Sequence, residues 1–299
     1  MAEMLRLGTR GSRLALAQAA IAAEALARIG LGVETVTVRT EGDAISERRP
    51  RAGWVTTDGQ FTRALESALL DGDVDVVVHS YKDLPTAPVD GLAVAAVLRR
   101  ADPRDCLVTA DGGGLEAVPF GGRIGTSSPR RAAQLAASRN DLVAMPIRGN
   151  VESRLARLER GEYDGLILAA AGLDRLGIDV PPAARLPLDF VLPAPAQGAL
   201  ALQVRAADAG LCAGLAAVDD RPTRIGVEAE RALLRRIGGG CLAPLGALGE
   251  VEGDRLRLRA AYEDRGGAFR RAEATGPAAD PEAVVAAVAD ELLASGVRA

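Results

Sequence analysis

The sequence predicts an α/β chain of two hinged lobes followed by a small α+β domain. Three observations carry that expectation. Strand-like and helix-like patterns alternate through the first two-thirds of the 299 residues. Two proline-marked crossings, Ala101-Asp102-Pro103-Arg104-Asp105 and Pro193-Ala194-Pro195-Ala196, bracket the second α/β stretch. From Arg221 the pattern changes to a helix, a glycine loop, three strand-like runs and a final helix, the order of an α+β unit.

The elements follow from local pattern. Residues 5–8 read as a strand and 12–29 as an alanine-rich helix opened by Ser12, a favoured N-cap. Residues 33–39 alternate as a strand does, and 41–57 are polar, with Arg48, Arg49, Pro50, Arg51 and Gly53, as in a loop. A helix is expected over 59–70, a buried strand over 74–78 and another strand over 92–98. Beyond the first crossing, residues 111–114 make a turn. Strands over 123–125, 142–147 and 166–169 then alternate with helices starting at Ser128 and Asn150. Residues 200–204 form one more strand, which can return to the first lobe. The last part is expected as a helix over 223–237, strands over 245–251, 256–262 and 268–274, and a helix over 281–293.

Composition narrows the function. Hydrophobic content is 48% with only 3% aromatics, so the core is built from alanine, valine and leucine. A net charge of −4 leaves no basic excess to release counterions from nucleic acid. Three cysteines without paired spacing suit reduced thiols in a cytoplasmic protein. The first six residues lack the layout of an export signal, and no stretch approaches the ~20 apolar residues of a membrane span. One histidine and scattered cysteines make no metal site. No extended apolar stripe demands a partner, so a monomer is expected.

Four features carry chemistry. His79-Ser80-Tyr81-Lys82-Asp83 holds the only histidine and the only lysine, against 35 arginines, and follows a buried strand. Lysine is a compact point charge and arginine a rigid fork, so a single lysine in such a chain marks a place where arginine does not serve. Second, three segments each end a strand, place arginine in a short loop and open a helix: Gly8-Thr9-Arg10-Gly11-Ser12, Gly125-Thr126-Ser127-Ser128-Pro129-Arg130-Arg131, and Ile147-Arg148-Gly149-Asn150 with Ser153 and Arg154. Free N–H groups at helix starts attract anions, and arginine adds donors matched to carboxylate or phosphate. The set points to a ligand with several negative charges, carboxylate or phosphate; no phosphate loop ending in Gly-Lys-Ser/Thr exists. Third, Gly238-Gly239-Gly240-Cys241 puts a thiol after a bare loop, as a nucleophile, an attachment point or merely a small residue ending a helix. Cys106 and Cys212 sit in apolar patterns and receive no role. Fourth, Gln197 follows the second crossing, where a hinge or helix-start residue is the plainest reading.

Taken together, these segments resemble the porphobilinogen deaminase (hydroxymethylbilane synthase) family. The likeness extends through Leu84-Pro85, Asp102-Pro103-Arg104-Asp105, Arg148-Gly149-Asn150-Val151, Ala170-Ala171-Gly172-Leu173, Pro195-Ala196-Gln197-Gly198-Ala199 and Gly239-Gly240-Cys241, in the family's order over the whole length. The resemblance implies two hinged lobes like those of periplasmic binding proteins, over 1–100 with 197–218 and over 101–196. It also implies an α+β cofactor-attachment domain over 219–299. It implies a dipyrromethane cofactor held by a thioether on Cys241. Four porphobilinogen units are then added in turn with loss of ammonia, and water releases hydroxymethylbilane.

By the same resemblance Asp83 is the catalytic carboxylate. Arg10, Ser12, Lys82, Ser128, Arg130, Arg131, Arg148, Arg154, Arg175 and Gln197 bind the acetates and propionates of cofactor and substrate. Two departures stand out. Many members carry Gly-Lys-Gly-x-Phe where this chain has Thr57-Asp58-Gly59-Gln60-Phe61, and a second familiar lysine is lost near Trp54. Asp58 would repel acids unless Arg48, Arg49, Arg51 or Arg63 compensates. The rivals are a non-catalytic two-lobed anion-binding protein, a Schiff-base enzyme using Lys82, and an inactive paralogue. The first leaves Asp83 and Cys241 idle, and the second needs a desolvated amine where Asp83 favours the charged form.

Overall fold

The computed structural model describes residues 4–39, 62–238, 240 and 243–294. The polar 41–57 loop, Trp54, Asp58 and Cys241 lie outside the described residues. The chain divides into two compact units, Met1–Ala101 with Ala199–Arg224 and Asp102–Gly198 with Ile225–Ala299.

In the first unit β1 (Leu5–Thr9) leads into α1 (Arg13–Arg28) and β2 (Val33–Thr37). Helix α1 buries Ala15, Ala19, Ala22 and Leu26, one face at a spacing of three and four. Next come α2 (Arg63–Leu70), β3 (Val76–Ser80) and β4 (Leu92–Val97). The sheet order is β2-β1-β3, then a returning strand, then β4. Strands β2 and β3 run parallel to β1 on either side, so the order reverses at β1. Ligands of open α/β sheets bind beyond the carboxyl ends of strands at such a reversal.

Strand β3 runs two residues further than the apolar pattern implies. His79 and Ser80 belong to it rather than following it, because the imidazole finds an interior partner in Gln203 at 2.9 Å. At the first crossing, too, sequence and structure differ. Asp105 opens a strand, β5 (Asp105–Val108), rather than closing a hinge loop.

The second unit continues with β6 (Arg123–Gly125), α3 (Pro129–Ser138), β7 (Val143–Met145), α4 (Val151–Glu159), β8 (Gly165–Ala169) and α5 (Ala170–Arg175). β7 is shorter than its apolar run because Pro146 has no N–H for a ladder. This sheet has the order β5-β8-β6-β7; β7 and β8 flank β6 in parallel and β5 is antiparallel to β8. It repeats the reversal seen at β1.

The returning strand is β9 (Leu200–Arg205), buried on both faces through Val204 and antiparallel to β3 and to β4. Short α6 (Ala209–Leu215) then packs on β4.

The chain ends with α7 (Arg221–Ile237), the antiparallel meander β10 (Leu245–Glu252), β11 (Arg255–Glu263) and β12 (Phe269–Pro277), and α8 (Pro281–Leu293). Strand β11 alternates, with Leu256, Leu258 and Ala260 facing in and Arg255 and Arg257 facing out. Helix α8 places Val284, Val285, Val288, Ala289 and Leu292 against them. Among the described residues no helix is long and apolar enough to cross a membrane, and no cluster of residues is suited to hold a metal ion.

Candidate active site

The first unit brings Arg10, Ser12, Lys82 and Asp83 to one end of its sheet. β1 and β3 are parallel neighbours in the register Gly8↔Val77, so the segments that follow them emerge side by side. Ser12 caps α1, its hydroxyl accepting from the Ala15 N–H at 3.3 Å, while the Thr9 hydroxyl donates to the Ala15 carbonyl at 3.1 Å. Gln18 on α1 donates to the Ser80 hydroxyl at 2.7 Å and ties the helix to the end of β3. A single 3-10 turn, Tyr81–Asp83, follows. Buried Tyr81 anchors it, Lys82 is half-buried and Asp83 stands exposed.

Behind this turn His79 is sealed in the interior. Burial pushes its ionisation down from 6.5 to about 4, with the Gln203 hydrogen bond opposing the shift. The folded protein therefore holds a neutral imidazole that the unfolded chain protonates as pH falls below 6.5. Its contribution to stability is complete above 6.5 and is lost as pH drops toward 4. As the only histidine, it gives a single set of imidazole signals in an NMR titration. We expect a midpoint near 4; a midpoint near 6.5 would contradict its sealing.

The second unit gathers the arginines. The loop after β6 is stapled to the loop after β7: the Thr126 N–H donates to the Met145 carbonyl at 2.8 Å, and the Ser127 hydroxyl donates to the Ile147 carbonyl at 2.7 Å. Ser128 and Asn150 cap α3 and α4. Gly149 takes φ +112, and a Cβ there would stand 2.2 Å from the Ser153 hydroxyl, so only glycine fits the turn. Arg154 donates through Nε to the Gly149 carbonyl at 2.8 Å. Arg148 is exposed on the same loop. Arg175, at the end of α5, donates to the Gly198 carbonyl at 2.6 Å.

Arg130 and Arg131 differ from the sequence expectation. They are not displayed in a loop but buried in the first turn of α3, gripping Asp105. Arg130 reaches one carboxylate oxygen at 2.8 Å and Arg131 the other at 2.6 Å, with side chains 5% and 9% exposed. Asp105 sits there because β5 runs antiparallel to β8 in the register Asp105↔Ala169, which brings the start of β5 to the carboxyl end of its neighbour. Gln197 is 1% exposed, and its amide donates to Asp105 at 2.9 Å and to the Pro103 carbonyl at 2.8 Å. Sequence reasoning passed over Asp105. The signal was a lone acid before an apolar Cys-Leu-Val run in a chain with an adjacent arginine pair to neutralise.

Electrostatically this cluster is over-positive. Two guanidinium charges share one fully buried carboxylate, which they hold well below the usual carboxylate range against the cost of its burial. Burial pulls Arg130 down as well. It brings Arg154 to about 10, helped by the neighbouring charge of Arg131, and brings Arg175 to about 10. The buried Nε atoms of Arg130 and Arg131 have no hydrogen-bond partner among the described residues. Desolvated cations and unmet donors suit a ligand rich in carboxylates. Cys241 lies outside the described residues; of the three glycines before it in the sequence, Gly238 and Gly240 take φ +75 and +58.

A family model described as "Porphobilinogen deaminase, dipyromethane cofactor binding domain" matches residues 5–213, and one described as "Porphobilinogen deaminase, C-terminal domain" matches residues 225–294. The chain is 45% identical over 301 residues to the porphobilinogen deaminase of Roseiflexus sp. (strain RS-1), with 100% of this chain and 99% of that protein covered. It is 49% identical to that of Acidothermus cellulolyticus, with 98% and 89% covered. Among solved structures it is similar to an arginine 3rd transport system periplasmic binding protein from Legionella pneumophila at 11% identity, with 72% and 91% covered and a TM-score of 0.37.

Proposed function

The chain belongs to the porphobilinogen deaminase family, and from that premise we propose how its own residues divide the work. The protein is a transferase of tetrapyrrole biosynthesis. It condenses four porphobilinogen units stepwise, with loss of ammonia, onto a dipyrromethane cofactor, and water then releases hydroxymethylbilane. The dipyrromethane, when bound, supplies the pyrrole position to which the first unit is joined. Everything below concerns the side chains.

The observation that carries the proposal is the excess of buried positive charge in the second unit. Each pyrrole bears an acetate and a propionate, so every added ring brings two more carboxylates. Arg148, Arg154 and Arg175 bind such acids as bidentate forks, and Ser128 adds its N-cap hydroxyl. Arg130 and Arg131 offer the donors that Asp105 leaves over, and Gln197 supports them through Asp105. In the first unit Arg10, Ser12 and Lys82 do the same beside Asp83. Lys82 supplies a point charge where a fork would impose one geometry.

Asp83 acts on porphobilinogen itself. As ammonia leaves the aminomethyl carbon, positive charge spreads over the pyrrole and its N–H. A fixed carboxylate stabilises that charge and can accept and return a proton. Cys241 is the attachment point of the cofactor. Three glycines, Gly238-Gly239-Gly240, precede it in the sequence and bring no side chains of their own to cover a thiol.

The same proposal divides the chain into three domains, 1–100 with 197–218, 101–196 and 219–299; the break between the two family models, after residue 213 and before residue 225, supports the last boundary. It also takes the protein as a cytoplasmic monomer with no nucleic-acid or membrane partner. Support comes from the net charge of −4 and from Cys106 and Cys212, both free thiols, Cys106 pushed up to about 11 by burial. Purified protein is expected to consume porphobilinogen and release one ammonia for each unit consumed. Protein that binds porphobilinogen without releasing ammonia would favour a non-catalytic anion-binding protein instead.

A further inference from the structure

Glu230, on α7, stands outside every role assigned so far. It is fully buried, and its carboxylate bridges two backbone N–H groups. One oxygen accepts from Ala196 at 2.6 Å and the other from Gly249 on β10 at 2.7 Å. The reach depends on a close crossing of α7 over β10. A Cβ at Gly226 would stand 2.4 Å from the Gly249 carbonyl oxygen, and one at Gly249 would stand 2.5 Å from that of Gly226. With glycine at both positions, the helix comes close enough for a side chain one turn later to pass the strand and meet the crossing segment.

That segment is unusual. Ala196 has φ +62, a left-handed conformation that costs a residue with a Cβ, and it is completely buried. The two residues after it each support an arginine of the acid-binding cluster. Gln197 donates to the Asp105 oxygen that also receives Arg131. The Gly198 carbonyl receives Arg175. Three consecutive residues therefore link to Glu230, to the Asp105 anchor of Arg130 and Arg131, and to Arg175.

We propose that Glu230 is a positioning residue: by holding Ala196 left-handed, it sets Gln197 and Gly198 where they fix the posture of Arg130, Arg131 and Arg175. A carboxylate is required because two donors must be met at once, and a glutamine offers only one oxygen. The proposal rests on the acid-binding reading of those arginines.

The test is Glu230→Gln, which keeps the size and removes one acceptor. Its crystal structure should show Ala196 out of the left-handed region and Gln197 turned from Asp105. A 196–198 segment unchanged from wild type would overturn the proposal whether or not the protein consumes porphobilinogen. In turnover assays KM for porphobilinogen should rise about tenfold while kcat changes little, the pattern of lost ground-state binding. An unchanged KM would count against it equally. Wild-type protein run alongside tests the functional reading separately, since only that reading fails if wild type is inert.

A second substitution separates positioning from simple gluing of helix to strand. Glycine takes φ +62 without a clamp, so Glu230→Gln with Ala196→Gly should recover most of the lost affinity. No recovery would mean that Glu230 serves only α7 and β10. If Glu230→Gln yields no folded protein, Gln197→Leu probes the next link with the clamp intact. The same rise in KM is expected there, and an unaltered KM would again overturn the idea.

Discussion

Asp83→Asn is expected to fold as wild type does and to lose nearly all turnover. Asp83 stands exposed on the Tyr81–Asp83 turn and has no hydrogen bond or ion pair among the described residues. The turn is held by other groups: Tyr81 is buried, its N–H donates to the Ala199 carbonyl at 3.1 Å, and Gln18 fixes the end of β3. An exchange of one oxygen for an amide at such a site should shift stability by no more than about 0.5 kcal/mol. Turnover is another matter. The amide keeps the shape but carries no charge to place against a forming cation and takes up no proton, and losses of about 10²- to 10⁴-fold are typical when a positioned acid–base group is removed. The readouts are a melting curve and the steady-state rate of porphobilinogen consumption. Undiminished turnover in a folded variant would remove Asp83 from the chemistry.

Cys241→Ser should leave purification without the two-pyrrole mass that wild type carries, and without activity. Attachment needs a nucleophile at neutral pH. A thiol near its ordinary pKa of about 8.5 supplies some thiolate there, whereas a serine hydroxyl without a general base supplies almost no alkoxide. The neighbouring glycines give a serine no such base from the adjacent chain. Intact-mass measurement of the two proteins decides the matter. A wild-type mass equal to that of the bare chain, or an adduct that survives in the variant, would each remove Cys241 from its role. Cys106 offers no substitute: it is buried, and its thiol is pushed up to about 11.

Much of this fold was readable in the chain because its elements are strongly patterned. The 123–125 strand and the 281–293 helix coincide with β6 and α8, where a turn before one and Asp280-Pro281 before the other mark the starts. What escaped detection depended on partners distant in sequence. β5 is four residues long and begins with a buried acid, which pattern reading assigns to a loop. Arg130 and Arg131, some 25 residues on, and Gln197, 92 residues on, make that burial tolerable. His79 ends a buried strand because Gln203, 124 residues away, receives it. Arginine next to a helix start is visible in sequence, but whether it points to solvent, to a ligand or to an internal carboxylate is not. The same limit hid the role of Glu230: helical spacing puts it on the apolar face with Val227, Leu233 and Leu234, but does not say what its carboxylate meets there.

The strand β9 has a consequence for how the protein is made. It lies between β3 and β4, which have no other strand between them, yet it is synthesised about a hundred residues after both. On the ribosome the first sheet is begun early and then waits with a gap in its middle. During that wait, all four strands of the second sheet emerge and can complete their ladders. The sheet that is started first is thus the one finished last. A nascent chain that stalls before residue 200 presents two open strand edges, Val76–Ser80 and Leu92–Val97, both apolar and both without their common partner. The interval between residues 97 and 200 is thus the stretch of synthesis over which slow translation or missing chaperone cover is expected to expose the unfinished sheet.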